Sequence, residues 1–254
     1  MKAVILAAGY ATRLYPLTEN KPKCLLTVGG RTILDSIVAK IERIENCDEV
    51  LIVTNAKFYA QLEDWKKGAK HRLPIRVMSD GTTSNDTRLG AIGDLGLVLR
   101  EAKVHDDVLM MASDNLFDQE LDDFVRYARS KNLPAGQAGG AVAIAVYDIG
   151  DPKLAANKFG VVEADRAGKV ISLEEKPAEP KTSLIGMGVY YFPASSLPKV
   201  GEYLADKNAK DAPGYYVRWL SERGTLFSFT FQGMWYDIGD LKALEEANRL
   251  LKTR

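Results

Sequence analysis

Short apolar runs of strand length alternate with stretches of helical periodicity through the first half of this 254-residue chain, and that alternation constrains the fold most. It predicts strands over 3–7, 49–54, 75–78 and 108–111, and helices over 32–44, 57–70, 89–102 and 118–131. In the first helix Ile33, Leu34, Ile37, Val38, Ile41 and Ile44 make one apolar stripe. Strand–helix alternation of this kind implies parallel strands joined by right-handed crossovers. The second half differs. Strands over 142–147, 160–163, 170–173, 185–192 and 226–231 have few helices between them, which predicts antiparallel additions to the sheet. Helices return over 194–205, 214–222 and 241–251. The low-complexity stretch 133–140 reads as a flexible helix-to-strand connection without chemistry.

The first strand, Ala3-Val4-Ile5-Leu6-Ala7-Ala8, empties into Gly9-Tyr10-Ala11-Thr12-Arg13-Leu14-Tyr15-Pro16-Leu17-Thr18 and then Lys21-Pro22-Lys23. Exposed backbone N–H groups and fixed cations at a strand end make a cradle for polyphosphate, and the two prolines stiffen it. Arginine suits a multi-oxygen anion through its planar fork, and lysine offers a compact charge. Lys21 either lines the mouth of the cradle or is plain surface. A dinucleotide fingerprint requires G-x-G-x-x-G, but Gly9 is followed by Ala11 and Leu14, and prolines interrupt the helix that would start there. The chain also contains no Gly-Lys-Ser or Gly-Lys-Thr, which excludes a Walker loop.

Lysine plus arginine number 34 against 34 acidic residues, so the formal charge is zero. That balance argues against nucleic acid or an anionic membrane as partner and makes any anion site local. No apolar run approaches the ~20 residues that span a bilayer, and no signal-peptide pattern precedes the first strand, so a cytoplasmic location is expected. Cys24 and Cys47 lack metal or disulfide spacing, and Cys24 beside Leu25 and Leu26 reads as apolar filler. His71 and His105 read as surface.

Two aspartates stand out. Asp114 follows the run 108–113, and Asp237 follows the run 231–236. Each has two open readings: a cap or turn former, or a hard oxygen ligand at the carboxyl edge of a sheet. If both strands end at one edge, the carboxylates converge beside Arg13 and Lys23. Their mutual repulsion then calls for a divalent cation, with magnesium the expected ion. Asp240 reads as the cap of the last helix.

The loop 9–18 with Pro22-Lys23, then Ser113-Asp114-Asn115, Phe159-Gly160-Val161-Val162-Glu163, Glu175-Lys176-Pro177, Gly188-Val189-Tyr190-Tyr191-Phe192 and Trp235-Tyr236-Asp237-Ile238-Gly239 resemble, in order and over nearly the whole chain, the motifs of the nucleoside-diphosphate-sugar pyrophosphorylases, or sugar-1-phosphate nucleotidylyltransferases. One position departs. Where that family usually has a second glycine this chain has Ala11, whose methyl narrows the triphosphate space and restricts the backbone. The resemblance implies an α/β fold: a Rossmann-like, mostly parallel central sheet flanked by helices, with an added antiparallel acceptor-binding region. It implies one nucleotidyltransferase domain over 1–254, with 1–132 mainly binding nucleotide and 141–254 mainly binding sugar phosphate. The repetitive left-handed helix domain of some relatives is not expected.

The activity so implied joins a nucleoside triphosphate to a sugar 1-phosphate and releases pyrophosphate, with Mg2+ as cofactor. Arg13 and Lys23 would act on the reacting phosphates. Leu6, Ala8, Gly9, Ala11, Thr12 and Gly90 would contact the nucleotide, and Asp114 and Asp237 would hold the metal. Gly160, Glu175, Lys176 and Tyr190 would bind the sugar phosphate, with plain strand packing an open alternative for Tyr190. The polar segment 79–90 resembles the family's base-recognition loop without its usual landmark polar residue. Likeness to thymidylyl- and uridylyltransferases implies dTTP or UTP. Two rivals stand beside this reading: a cytidylyltransferase for a non-sugar phosphate such as phosphocholine, and a catalytically silent subunit that senses sugar nucleotide. Glu175 and Lys176 favour a sugar over the first, and the intact carboxylates and loop lysine favour an enzyme over the second. Homo-oligomerisation is left open by the sequence.

Overall fold

A computed structural model describes residues 1–68, 70–131, 141–206 and 211–251, so the 133–140 connection lies outside the described residues. The first half runs β1 (Lys2–Ala7), a two-residue pair β2 (Thr27–Val28) and β3 (Arg31–Thr32), α1 (Ile33–Ile41), β4 (Glu49–Thr54), α2 (Tyr59–Gly68), β5 (Ile75–Ser79), α3 (Ala91–Glu101), β6 (Val108–Ala112), β7 (Asn115–Phe117) and α4 (Leu121–Ser130). The second half runs β8 (Val142–Asp148), β9 (Gly160–Ala164), β10 (Val170–Glu175), β11 (Leu184–Phe192), α5 (Pro198–Ala205), α6 (Pro213–Ser221), β12 (Leu226–Thr230), β13 (Trp235–Asp237) and α7 (Leu241–Leu251).

Nine strands form one sheet, with the path β10-β9-β11-β6-β1-β4-β5 and with β8 and β12 paired off it. β1 is parallel to both β4 and β6, and β4 is parallel to β5. Both faces of these strands are covered, which is why they read as continuous apolar runs rather than alternating ones. Ala3, Ile5 and Ala7 pack on the side of α1, α4 and α7, while Val4 and Leu6 pack on the side of α3, α5 and α6. β11 pairs antiparallel with β6, β8 and β9, as the second half predicts. β12 departs from that expectation: it runs parallel to β8, because α5 and α6 return the chain across the face of the sheet before β12 enters.

Helix ends are set by local chemistry. α1 starts with the apolar stripe at Ile33, one residue later than the expected 32–44 span, because Thr32 is its cap and accepts from Asp35 N–H at 3.0 Å. The expected helix over 194–205 is instead a 3-10 turn, Ala194–Ser196, followed by α5. Pro198 has no N–H to donate and begins the α-ladder naturally. β7 and β13 form a separate antiparallel ribbon that the sequence does not announce, since three-residue strands are too short to show a period.

The order of the central strands places the site. From β1 the chain moves outward to β4 and β5, then recrosses through α3 to β6 on the other side of β1. Such a reversal opens a crevice at the carboxyl ends of the strands.

Candidate active site

The loop after β1 is anchored from beneath. Asn55 Nδ2 donates to the Ala8 carbonyl at 2.9 Å, and Thr54 Oγ1 donates to that of Ala7 at 3.2 Å. Ala11 adopts the left-handed conformation at φ 47° and ψ 43°, which costs a non-glycine residue roughly 1–2 kcal/mol. Thr18, fully buried, holds that turn by donating its hydroxyl to the Ala11 carbonyl at 2.8 Å. Ala11 therefore takes the shape a glycine would take. A 3-10 turn, Thr12–Leu14, follows with Leu14 buried and Thr12 and Arg13 facing outward. The Tyr15–Pro16 peptide is cis. Gly9 is exposed, Ala8 is buried, and half-buried Leu6 packs toward α3. The Tyr10 hydroxyl lies 3.3 Å from Thr82 Oγ1 and so ties the loop to the segment leading to Gly90. Gly90 is the N-cap of α3.

Asp114 and Asp237 do converge, by a route different from the expected shared sheet edge. Asp114 lies in the short turn between β6 and β7, while Asp237 ends β13, which pairs with β7 rather than with the central sheet. Asp237 stands opposite Asn115 in that ribbon, and Ile238 N–H donates to the Asp114 carbonyl at 3.0 Å. Lys23, from the 3-10 turn Lys23–Leu25, donates from Nζ to Asp114 Oδ2 at 2.7 Å. Asn115 Nδ2 donates to Asp114 Oδ1 at 3.0 Å, and Trp235 Nε1 donates to Asn115 Oδ1 at 2.7 Å. Asp114 is thus oriented by a three-residue network. Burial, and next the charge of Asp114, push the Asp237 carboxyl up to about 6, with Lys23 and Arg13 pulling the other way. Two carboxylates in each other's field, one ion-paired with Lys23 and the other buried, fit a hard cation that would take its remaining ligands from water or phosphate.

The same aspartates line a cavity of about 210 Å3 that continues between β9, β10, β11 and the start of α6. Gly160, Glu175 and Tyr190 line it, as the resemblance implies. Glu175 is half-buried, and burial raises its carboxyl above the ordinary range against the pull of Lys176. Space around it is tight: a Cβ on Gly160 would stand 3.0 Å from Glu175 Oε2, and one on Gly214 would overlap that oxygen unless the carboxylate moved. Tyr190 is buried, stacks on Phe192 and turns its phenol side toward the charge of Glu175. Lys176 is not brought to the lining. It is exposed, at φ 51°, with its N–H donating to the Phe159 carbonyl at 3.1 Å. Lys158 is the cation that lines the cavity among the described residues.

Asn115, Lys158 and Trp235 are the functional candidates that residue-by-residue reading missed. Trp235 could have been found, since two residues before Asp237 in a strand places both on one face. Cys24 is buried with its thiol pushed up to about 12 by desolvation, which makes it inert filler as expected.

A sheet reversal faced by an anchored cationic loop, with a carboxylate pair between that loop and a pocket, defines an α/β protein with a candidate site for charged ligands. The chain belongs to the nucleotidyl transferase family, whose model matches residues 2–254. It is 27% identical over 251 residues to the bifunctional protein GlmU of Methanocaldococcus jannaschii, covering 99% of this chain and 54% of that protein. It is 30% identical over 252 residues to the glucose-1-phosphate thymidylyltransferase of Streptomyces antibioticus, covering 98% of this chain and 65% of that one. The chain thus spans about half to two thirds of the length of these relatives. In fold it is similar to a Bacillus anthracis protein assigned as a glucose-1-phosphate thymidylyltransferase and solved with sucrose (TM-score 0.79, 24% identity, covering 100% and 96% of the two chains). It is also similar to an apo UDP-glucose pyrophosphorylase (TM-score 0.78, 17% identity, covering 99% and 98%). Among the described residues no helix is long and apolar enough to cross a membrane.

Proposed function

We propose that this chain transfers a nucleotidyl group from a nucleoside triphosphate to a sugar 1-phosphate and releases pyrophosphate. One observation carries the reading: Asp114 and Asp237 lie in the field of the loop cations and also line the pocket, so donor and acceptor phosphates would meet at the same two carboxylates. Residues 1–132 would then mainly serve the nucleotide and 141–254 the acceptor. Arg13 and Lys23 neutralise the triphosphate as it rearranges. Leu6, Ala8, Gly9, Ala11 and Thr12 offer backbone and surface to the nucleotide, with Gly90 beyond them. Glu175 accepts from sugar hydroxyls beside Gly160, and Tyr190 closes the pocket floor. The acceptor phosphate oxygen attacks the α-phosphorus in line, the bond to the bridging oxygen of the β-phosphate breaks, and its electron pair leaves with pyrophosphate. No covalent enzyme intermediate is needed, and positioning plus charge neutralisation supply the rate. Asp114 and Asp237 would hold magnesium, which when bound neutralises phosphate oxygens.

A release assay for pyrophosphate, screening five nucleoside triphosphates against several sugar 1-phosphates, is expected to show activity that requires both partners. Phosphocholine belongs in the screen. Phe159 and Trp235 wall the pocket with ring centroids 5.6 Å apart, and aromatic faces also suit a quaternary ammonium. Turnover with phosphocholine and CTP alone would replace the sugar reading, and no turnover with any pair would return the silent sensor. As to the base, the thymidylyltransferase relative supports dTTP or UTP, while a glucose-1-phosphate adenylyltransferase from Thermotoga maritima is 27% identical over 264 residues.

The acceptor phosphate needs a cation, and Lys158 is better placed than Lys176. Lys158→Ala is expected to raise KM for the sugar phosphate about 10-fold or more, with KM for the triphosphate changed less than ~3-fold, and Lys176→Ala to do less. Steady-state kinetics with each substrate varied in turn check this. A larger acceptor effect from Lys176→Ala would restore the assignment the resemblance implies.

A further inference from the structure

Three carboxylates between β5 and α6 have no part in the phosphate chemistry above: Asp80, Asp94 and Asp211. Two of them are satisfied. Asp80 accepts from Thr82 N–H at 2.7 Å and from the Thr82 hydroxyl at 2.8 and 2.9 Å. Asp211 accepts from Ala91 N–H at 3.2 Å and from Arg88 Nε at 2.8 Å, and its Oδ1 fills the space a side chain at Gly90 would need. Asp94 is different. It lies one turn into α3, is only 5% exposed, and its Oδ1 is buried without a hydrogen-bond partner among the described residues. It shares the helix face of Ile92, Leu95 and Val98, which pack toward β1 and β4.

A buried carboxyl group without a partner destabilises the chain that carries it. Desolvation, then the charges of Asp80 and Asp211, push this one up to about 7. No lysine or arginine among the described residues pairs with it, and no group of three side chains there is arranged to hold a metal ion. An N–H donor from a bound ligand would satisfy it. The position suits one. The crevice at the carboxyl ends of β1, β4 and β5 lies between the phosphate loop and the start of α3, and Tyr10 and Thr82 bridge the two walls. With the triphosphate on the loop and the acceptor in the pocket toward β9 and β11, the base falls on the α3 side.

We propose that Asp94 reads the nucleobase, and that this chain takes a triphosphate whose base carries an exocyclic amine on its pairing edge. The inference rests on the nucleotidyl-transfer reading and departs from the dTTP or UTP that the resemblance implies. Guanine offers two parallel N–H donors to an ionised carboxylate. Cytosine and adenine offer the amine to one oxygen and accept from the other when it is protonated. Uracil and thymine place carbonyls on both sides of a single N–H, and those oxygens would face the oxygens of an acidic wall.

The test is direct binding of CTP, ATP, GTP, UTP and dTTP to the full chain with Mg2+, by calorimetry, without turnover. At least one amine-bearing triphosphate is expected to bind about 10-fold or more tightly than UTP and dTTP. Asp94→Ala should bring that ratio within ~3-fold while the melting temperature of the free protein stays level or rises. Asp94→Asn keeps the volume but presents an NH2 donor beside a carbonyl, and it should shift the ranking toward UTP and dTTP. If UTP or dTTP binds tightest in the unaltered chain, or if the preference survives in both variants, the base assignment is overturned and nucleotidyl transfer stands. If none of the five binds, the nucleotidyl-transfer reading falls and this inference with it.

Discussion

Asp237→Asn is expected to lower turnover about 10³-fold or more, and chelation of magnesium should reduce the unaltered chain to a similar level. The magnitude follows from losing a charge-neutralising centre worth several kcal/mol at the reacting phosphates. Stability gives a readout independent of turnover. The Asp237 carboxyl ordinarily titrates at 3.8 and in the folded chain at about 6, raised first by burial and then by Asp114. Between those values the folded state holds a proton the unfolded state has lost. Without metal, the contribution of Asp237 to stability therefore falls as pH rises from about 4 to about 6 and stays lost above that. Asp237→Asn should make the fall shallower by this contribution, leaving those of Asp94 and Glu175, which burial also raises, and Mg2+ should suppress the Asp237 part by favouring its ionised form. Thermal melts from pH 4 to 8, with chelator and with Mg2+, separate the two. Full activity in chelator, or in folded Asp237→Asn, would remove the carboxylate pair from the site.

The parallel half of the fold was legible because β1, β4 and β6 are buried on both faces and α1 and α3 on one, so their apolar patterns carry the architecture. The ribbon of β7 and β13 was not. Its six residues make three cross-strand pairs, and it exists because Trp235 and Tyr236 pack on neighbours that only the folded chain supplies. That ribbon is nonetheless what brings Asp237 to Asp114. β12 was legible as a strand but not in direction, since parallel pairing with β8 depends on the path of α5 and α6.

The site divides similarly. The loop cations and the two aspartates stand out as candidates in the local sequence, while Gly160 and Glu175 are candidates only through the family resemblance, and the fold puts both of these in the pocket lining. Lys158 was hidden because a lysine before Phe159 looks like any solvated charge. Only the fold shows it, rather than Lys176, in the pocket lining. Asp94 was hidden for the opposite reason. A polar residue inside an amphipathic helix is usually a surface position, and here it falls on the buried face.

Lys23→Ala and Arg13→Ala should each slow turnover on the order of 10²-fold, and their side effects should differ. Arg13 is exposed and acts on Asp237 through its charge alone, less strongly than Lys23 does. Lys23 already has an occupation. Its ammonium lies 2.7 Å from Asp114 Oδ2, with the two side chains 13% and 28% exposed, and its charge also holds the Asp237 carboxyl down. In the free protein Lys23 would thus compete with a divalent cation for Asp114. A triphosphate on the loop would offer Lys23 a second partner and would free Asp114 for the cation. Lys23→Ala should therefore bind Mg2+ more tightly than the unaltered chain while turning over more slowly, whereas Arg13→Ala, which acts on Asp237 through its charge alone, should change Mg2+ affinity less. Calorimetric titration of the free proteins with Mg2+, with circular dichroism to establish folding, reads this directly. Weaker Mg2+ binding by folded Lys23→Ala would mean that the lysine organises the carboxylates rather than competing for them, and near-normal turnover would take it out of the reaction.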